Sequence, residues 1–452
     1  MAQESQQHKA NQLRNQLADY LEQLLVSRHC QDRSGQITCL NQLGAIHENL
    51  FEYSEALEYY KLLWELSKQV SEKDSQEIAL YNIANCYRHL SKFNDSLHYF
   101  SELVKITRET GNRILQLAGF WGQGTNYQNL GQYQKAIECF QIQLAIACEI
   151  DERSWQKSAN GSLGNVYQFL GDFQTSLVYE QKALIIAYEV GDVKAIGDSL
   201  ANSGGIYIQL RAWEKAIDYC QQSLAIASEN NHKDLMMVSL HSLGQANIGL
   251  KQHQKAQDFL TKALEVSNEI NEKRVRSAIL QALSDVCNQT NQLEQAIEYN
   301  LQSLTISREI GNRFGEAAAL SRVAITYQNF GKISKALIYY QQSLVILQEI
   351  GAKQSQLQLF FNIGTIYYRE QMYVKALGFL RTALILAEEL ENSPELARIQ
   401  LALGGIFQKL NQCRDAIYHY RQAYKIYKRL GDEAHAQQML KTMHELGVEP
   451  SI

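Results

Sequence analysis

Eleven histidines and eight cysteines are the residues of this chain with the widest chemistry. The histidines fall at unrelated places, and no His-Glu-x-x-His, nucleophile elbow or glycine-rich turn after a strand accompanies them. His241 reads as a hydrogen-bonding surface residue on a helix face rather than an acid or base. The cysteines (Cys30, Cys39, Cys86, Cys139, Cys148, Cys220, Cys287, Cys413) form no Cys-x-x-Cys pair and lie at no zinc-ligand distance from a histidine. They are expected to be reduced thiols used as small core residues, which suits a reducing cytoplasm. Gly119-Phe120-Trp121-Gly122-Gln123-Gly124 is glycine-rich like a phosphate loop, yet it lacks the Lys-Ser/Thr ending and a preceding strand. Two of its glycines each cost about 1 kcal/mol inside a helix, so a neighbour or a ligand should approach the backbone there. No catalytic residue, metal ligand or cofactor is expected, and the chain does not read as an enzyme.

What would position any site is a repeat. A very small residue returns every forty positions: Gly44, Ala84, Gly124, Gly164, Gly204, Gly244, Ser284, Ala324, Gly364 and Gly404. Such a period marks a tandem array, in which each unit buries its apolar face against the next. Within residues 155–194, apolar positions recur at three- and four-residue spacing on both sides of Gly171-Asp172, which predicts two amphipathic helices in an antiparallel hairpin. Gly191 closes the second helix, as do Gly111, Gly311, Gly351 and Gly431. A second small column, from Ala56 and Ser96 to Ala416, should meet the first where the helices cross. Aromatics three residues after the small position (Tyr87, Tyr127, Tyr167, Tyr207, Tyr327, Tyr367, Phe407) are expected to fill the gap between hairpins. With two prolines in 452 residues, little interrupts these helices.

The Leu-Gly pair, the aromatic three residues later and the small residue after the turn resemble tetratricopeptide repeats over nearly the whole chain. The forty-residue period and Gly-Asn or Gly-Asp boundaries are most similar to the arrays of spindle-orientation adaptors and kinesin light chains. In the 155–194 unit the second-helix aromatic is replaced by Glu180. The resemblance implies an all-α, right-handed superhelical solenoid of about ten hairpins with a concave groove for a partner segment. The expected boundaries are an N-terminal capping helix in 1–34, ten repeats in 35–431, and a capping helix with a loose tail in 432–452. The sixth and seventh repeats, with Asn247 and Cys287 in the aromatic column and Gln257 for an aliphatic, read as drift or as a hinge.

The resemblance places partner contacts on the first helix of each hairpin. Asn82, Asn85, Arg88, Trp121, Asn165, Gln168, Asn202, Gln245, Arg322, Gln328, Asn362, Arg369 and Arg398 occupy such positions. A row of amides can hydrogen-bond an extended peptide, although an exposed helix face is polar in any case. The family's ligand-binding asparagine survives only at Asn85 and Asn165. Arg322, Arg369 and Arg398 suggest an acidic peptide toward the C-terminal end, or simply a solvated basic face. Trp121 is an apolar anchor or part of the interior. Glutamates at Glu109, Glu149 and their equivalents, each four residues before a base such as Arg113 or Arg153, suggest local ion pairs.

A net charge of -5 with 20% charged residues gives no argument for nucleic acid or a membrane surface. No stretch approaches the length of a spanning helix, and the polar start shows no secretory signal. The expected function is a protein-interaction adaptor in the cytoplasm. The alternative is a regulator that senses a peptide or small ligand through a change of superhelical pitch. Self-association through Phe360, Phe361, Tyr368 and Met372 is a third possibility.

Overall fold

Seventeen-residue helices set the period. The first hairpin joins α1's neighbour α2 (Arg33–Asn49) to α3 (Tyr53–Gln69), where α1 is Ala2–His29. In the computed structural model, residues 2–447 are described, with side chains from residue 11. Of the tail expected from Gly447 to Ile452, the residues after Gly447 lie outside them. The first helices of the next hairpins are α4 (Lys73–His89), α6 (Arg113–Asn129), α8 (Arg153–Phe169), α10 (Val193–Gln209) and α12 (Lys233–Gly249). Each is followed by its partner: α5 (Phe93–Thr110), α7 (Tyr133–Glu149), α9 (Phe173–Glu189), α11 (Trp213–Glu229) and α13 (His253–Glu269). Then come α14 (Lys273–Gln289) with α15 (Leu293–Glu309), α16 (Arg313–Asn329) with α17 (Ile333–Glu349), and α18 (Lys353–Arg369) with α19 (Tyr373–Glu389). The series ends in α20 (Ser393–Lys409), α21 (Cys413–Arg429) and a final α22 (Glu433–Glu445). Among the described residues every element is an α-helix. By internal packing the chain divides into an N-terminal unit, residues 1–235, and a C-terminal unit, residues 236–452.

The small column works by receiving a side chain from sixteen residues further on. A Cβ added to Gly44 would stand 2.5 Å from the Tyr60 ring, one on Gly124 2.5 Å from Phe140, and one on Gly404 2.6 Å from Tyr420. These rings are almost wholly buried. The small residue therefore admits a ring, and backbone proximity is secondary. The Gly119 and Gly122 question has the same answer: their missing side chains leave room for Val104 and for the Phe100 ring, both from α5. The second small column bonds back across the hairpin, Ser96 Oγ donating to the Ala84 carbonyl and Ser176 Oγ to that of Gly164, both at 2.7 Å. The aromatic column stacks inside its own hairpin rather than between hairpins. Tyr167 lies 5.5 Å from Tyr179, and Tyr327 5.5 Å from Tyr339.

Every three-residue connection turns through a left-handed residue at its middle. Gly171 (φ 77°) donates to the Gln168 carbonyl and Asp172 to that of Tyr167, both at 3.0 Å, which satisfies two carbonyls of the helix end. Thirteen of these middle residues are not glycine, Lys251 (φ 58°) among them. Leu17, Tyr20 and Leu24 of α1 pack on the first hairpin, and Met439 and Met443 of α22 pack on α21.

The recurring glutamates pair differently from the sequence expectation. Glu149 ends α7 and Arg153 begins α8, so a left-handed turn separates them and i,i+4 helix geometry does not apply. Instead Glu149 meets Arg113, thirty-six residues earlier, and Lys73–Glu109, Lys273–Glu309 and Lys353–Glu389 repeat this at 3.5, 3.0 and 2.9 Å. Each pair closes the open end of one hairpin; all are exposed and worth a fraction of a kcal/mol.

Three cysteines, Cys30, Cys148 and Cys413, are exposed rather than core residues, whereas the other five are buried. The apolar patch proposed for self-association is also mostly covered. Phe361 is buried, Phe360 packs on Phe379 and Tyr368 on Tyr373, leaving Met372 exposed.

Gly44→Val should lower the midpoint of urea unfolding by the equivalent of about 2 kcal/mol, because the Tyr60 ring has nowhere to go. Lys251→Gly, by relieving a left-handed lysine, should raise it by up to about 1 kcal/mol. The same titration, followed by far-ultraviolet circular dichroism, checks both.

Candidate partner-binding faces

In the N-terminal unit the first helices α2, α4, α6 and α8 touch in succession, and in the C-terminal unit α14 touches α16 and α18 touches α20. Side chains on this face therefore meet across about one repeat. In the N-terminal unit the Arg88 guanidinium lies 5.2 Å from the centre of the Trp121 ring, stacked as a cation over its face. Asn85 Oδ1 accepts from Arg88 Nε at 3.3 Å and from Nη2 at 3.1 Å, while Asn85 Nδ2 donates to the Tyr81 carbonyl at 3.1 Å. Among the described residues no carboxylate lies within ion-pair distance of Arg88. Burial holds its guanidinium below the ordinary value, the nearby Tyr81 and Glu48 acting the other way. Tyr53 and His89 stack alongside at 4.4 Å. Asn82 is half-buried on the same helix. Trp121 thus joins a half-buried clamp, with its lower side against the α7 core.

Further along this unit the face changes character. Gly161 stands where Tyr81 and Trp121 stand in α4 and α6. Asn165 and Asn202 are exposed and Gln168 half-buried. Below them Glu180, 3% exposed, takes the place of a packing ring against Gly164. Asn202 Nδ2 donates to its Oε1 at 3.3 Å. Burial raises the Glu180 carboxyl to about 7; Asn202 opposes the shift and the charge of Asp198 adds to it.

In the C-terminal unit the expected basic groove is not free charge. Arg322 pairs with Asp285, and Arg398 pairs with Glu395 at 2.7 Å while lying 4.7 Å from the Phe361 ring centre. Of the three arginines, Arg369 is the one exposed without a carboxylate partner among the described residues. The amides are engaged inwardly as well: Gln328 Oε1 accepts from Tyr340 Oη at 3.2 Å, and Asn362 Oδ1 from Gln358 Nε2 at 3.0 Å. Gln245 is half-buried. His241 is no surface hydrogen-bonder, since its Nε2 is buried with no partner and desolvation lowers its pKa to about 4. A recess of about 690 Å³, floored by Phe361, Leu401, Ala402 and Tyr427, opens beside Arg398 and His435. Neither this recess nor the Glu180 site is marked by a sequence motif. Gly161 and Asp198, in register with Phe361 and Arg398, were the signal for the latter. Among the described residues no group of three His, Cys, Asp or Glu side chains could hold a metal, and no helix is long and apolar enough to cross a membrane.

The raised Glu180 pKa means that the folded state holds this proton more tightly than the unfolded chain. Its stabilising contribution is present at acid pH and is lost as pH rises through about 7. Glu180→Gln should therefore flatten the decline in thermal midpoint between about pH 5 and 8, measured by calorimetry.

Comparison with known proteins places the chain in a family. A profile described as tetratricopeptide repeat matches residues 75–141, 196–269, 276–349 and 355–429, and another of the same description matches 37–77. No curated protein sequence matches the chain. Aspartyl phosphate phosphatase F from Bacillus subtilis is similar in structure at 15% identity and TM-score 0.53, over 77% of this chain and 92% of that one. A signal transduction ATPase with numerous domains and a tetratricopeptide repeat sensor, from Pyrococcus horikoshii, is similar at 15% identity and TM-score 0.55. That likeness spans 77% of this chain and 55% of the other. The apo form of RapI is similar at 16% identity and TM-score 0.50, over 61% of this chain and 99% of that one. At such identities the structural likeness shows the fold alone. The profile matches, which take in more than half of the residues, establish that the chain belongs to the tetratricopeptide repeat family.

Proposed function

We propose that the chain is a non-catalytic interaction scaffold that holds an extended segment of a partner protein along the first-helix face, with an acidic group of that segment on Arg88. The observation that carries this reading is the clamp itself. Arg88 is half out of water, its bonds from Nε and Nη2 to Asn85 go to a neutral acceptor, and its plane is fixed by Trp121. A desolvated cation without a carboxylate is costly to hold, and an incoming carboxylate offsets that cost through charge-assisted bonds. Trp121 adds a rigid apolar surface beside it, the kind of residue that dominates binding energy at interfaces. The acidic preference therefore moves from the C-terminal arginines, two of which are already paired, to the N-terminal unit. Exposed amides such as Asn165 supply backbone bonds to the segment without demanding its sequence.

Selection of a random dodecapeptide library on the full chain tests this. The wild type should enrich peptides with Asp or Glu at one fixed position. Arg88→Gln should lose that position, and Trp121→Ala should weaken a synthetic consensus peptide about tenfold or more. An unchanged consensus on Arg88→Gln would remove Arg88 from the reading.

A further inference from the structure

We infer that the N-terminal unit also carries a seat for one cationic side chain, a lysine or arginine of the bound segment, above Gly161 between α8 and α10. The inference rests on the scaffold reading and adds a second, opposite specificity to it.

Three observations converge there. First, the face is open. A Cβ added to Gly161 would meet nothing within 4 Å, and the same holds at Gly205. Tyr81, Trp121 and Phe361 fill the Gly161 position in other hairpins.

Second, a buried carboxyl group lies one helical turn along from this opening, against Gly164. The Glu180 Oε1 atom stands 3.1 Å from the Cβ position of Gly164 and accepts only the 3.3 Å bond from Asn202. Among the described residues no donor reaches its Oε2, in a residue that is 3% exposed.

Third, the rim is acidic. Gly161 and Asp198 hold the two positions at which Phe361 and Arg398 lie in contact in the other unit, so the aromatic–cation pair is replaced by a gap and an acid. Asp198 shares Lys194 with Asp234, at 3.1 and 3.5 Å, so that one ammonium faces two carboxylates.

The chemistry then selects the occupant. An anion would meet Glu180 and Asp198. An apolar side chain would seal Oε2 away from water without a bond, which costs free energy. An ammonium or guanidinium pairs with both carboxylates and donates to Oε2. Among the described residues Glu180, Asp198 and Asp234 form no group of three side chains that could hold a metal ion.

The seat is also placed relative to Arg88. Three first-helix steps separate α4 from α10. At 8–10 Å per packed helix this is roughly 25–30 Å, which an extended chain spans in about eight or nine residues. The segment should therefore carry an acidic group toward one end and a lysine or arginine about eight residues away.

The dodecapeptide selection reads this directly. On the wild type, Lys or Arg should be enriched at a fixed position about eight residues from the acidic one. On Asp198→Asn, and separately on Glu180→Gln, that enrichment should fall to the library level while the acidic position persists. A synthetic consensus peptide with this residue changed to Gln should bind about tenfold more weakly to the wild type and equally to Asp198→Asn. Asp198 lies at the rim, so its variant remains informative if Glu180→Gln disturbs folding. A consensus with a fixed acidic position and no basic one overturns the seat and leaves the scaffold standing. Survival of the basic position in both variants also overturns it. The absence of any consensus overturns both readings.

Discussion

One contact organises the molecule: a side chain of the second helix pressed into a gap in the first, sixteen residues earlier. With Gly44 and Tyr60, Gly124 and Phe140, or Gly404 and Tyr420, the ring enters where a Cβ would stand. Helix length, turn position and the second small column all follow from keeping that insertion in register. The seventeen-residue helices and three-residue turns deliver the same pair of positions every forty residues. Where the gap is partly filled, as at Ala84, the Phe100 ring is accommodated by Gly122 of the following hairpin. A glycine that looks misplaced within its own helix thus answers a demand from its neighbour.

The same contact decides which surface groups remain available. A tyrosine in the inserted position reaches through the hairpin and ties up an amide or acid on the first-helix face, as Tyr340 does Gln328 and Tyr420 does Gln408. A glutamate in that position, Glu180, ends near Gly164 and leaves the face above it open. The face is consequently not a uniform amide ladder. Most of its polar groups are engaged with one another, and Arg88 and Glu180 are two whose burial exceeds their partnering.

The fold was legible because its determinants are local in type and periodic in position: small residues, turn residues and apolar spacing. The ion pairs were misread because Glu149 and Arg153 look adjacent in sequence, while a left-handed turn puts them on different helices. Antiparallel packing matches the first residue of one helix with the last of the next. The face residues were less legible for a related reason. Whether Arg322 is a free charge depends on Asp285 in the preceding hairpin, a relation of thirty-seven residues that composition does not reveal. Glu180 was visible as a departure from the pattern, yet the consequence of the departure is felt twenty-two residues away, at Asn202.

The inserted side chains of the N-terminal unit diminish along it: Tyr60, Phe100, Phe140, Glu180, Cys220. Each buries less apolar surface than a ring as the series passes Phe140, so the hairpins that hold Glu180 and Cys220 gain less from closure. In an array whose stability is a sum of units and their interfaces, such a gradient concentrates transient opening at one place. Amide hydrogens of α8 to α11 should then exchange with solvent sooner than those of α2 to α7, and a segment lying over the Glu180 hairpin would suppress that breathing. Binding would register in this chain as a redistribution of local order, without any need for a moving part.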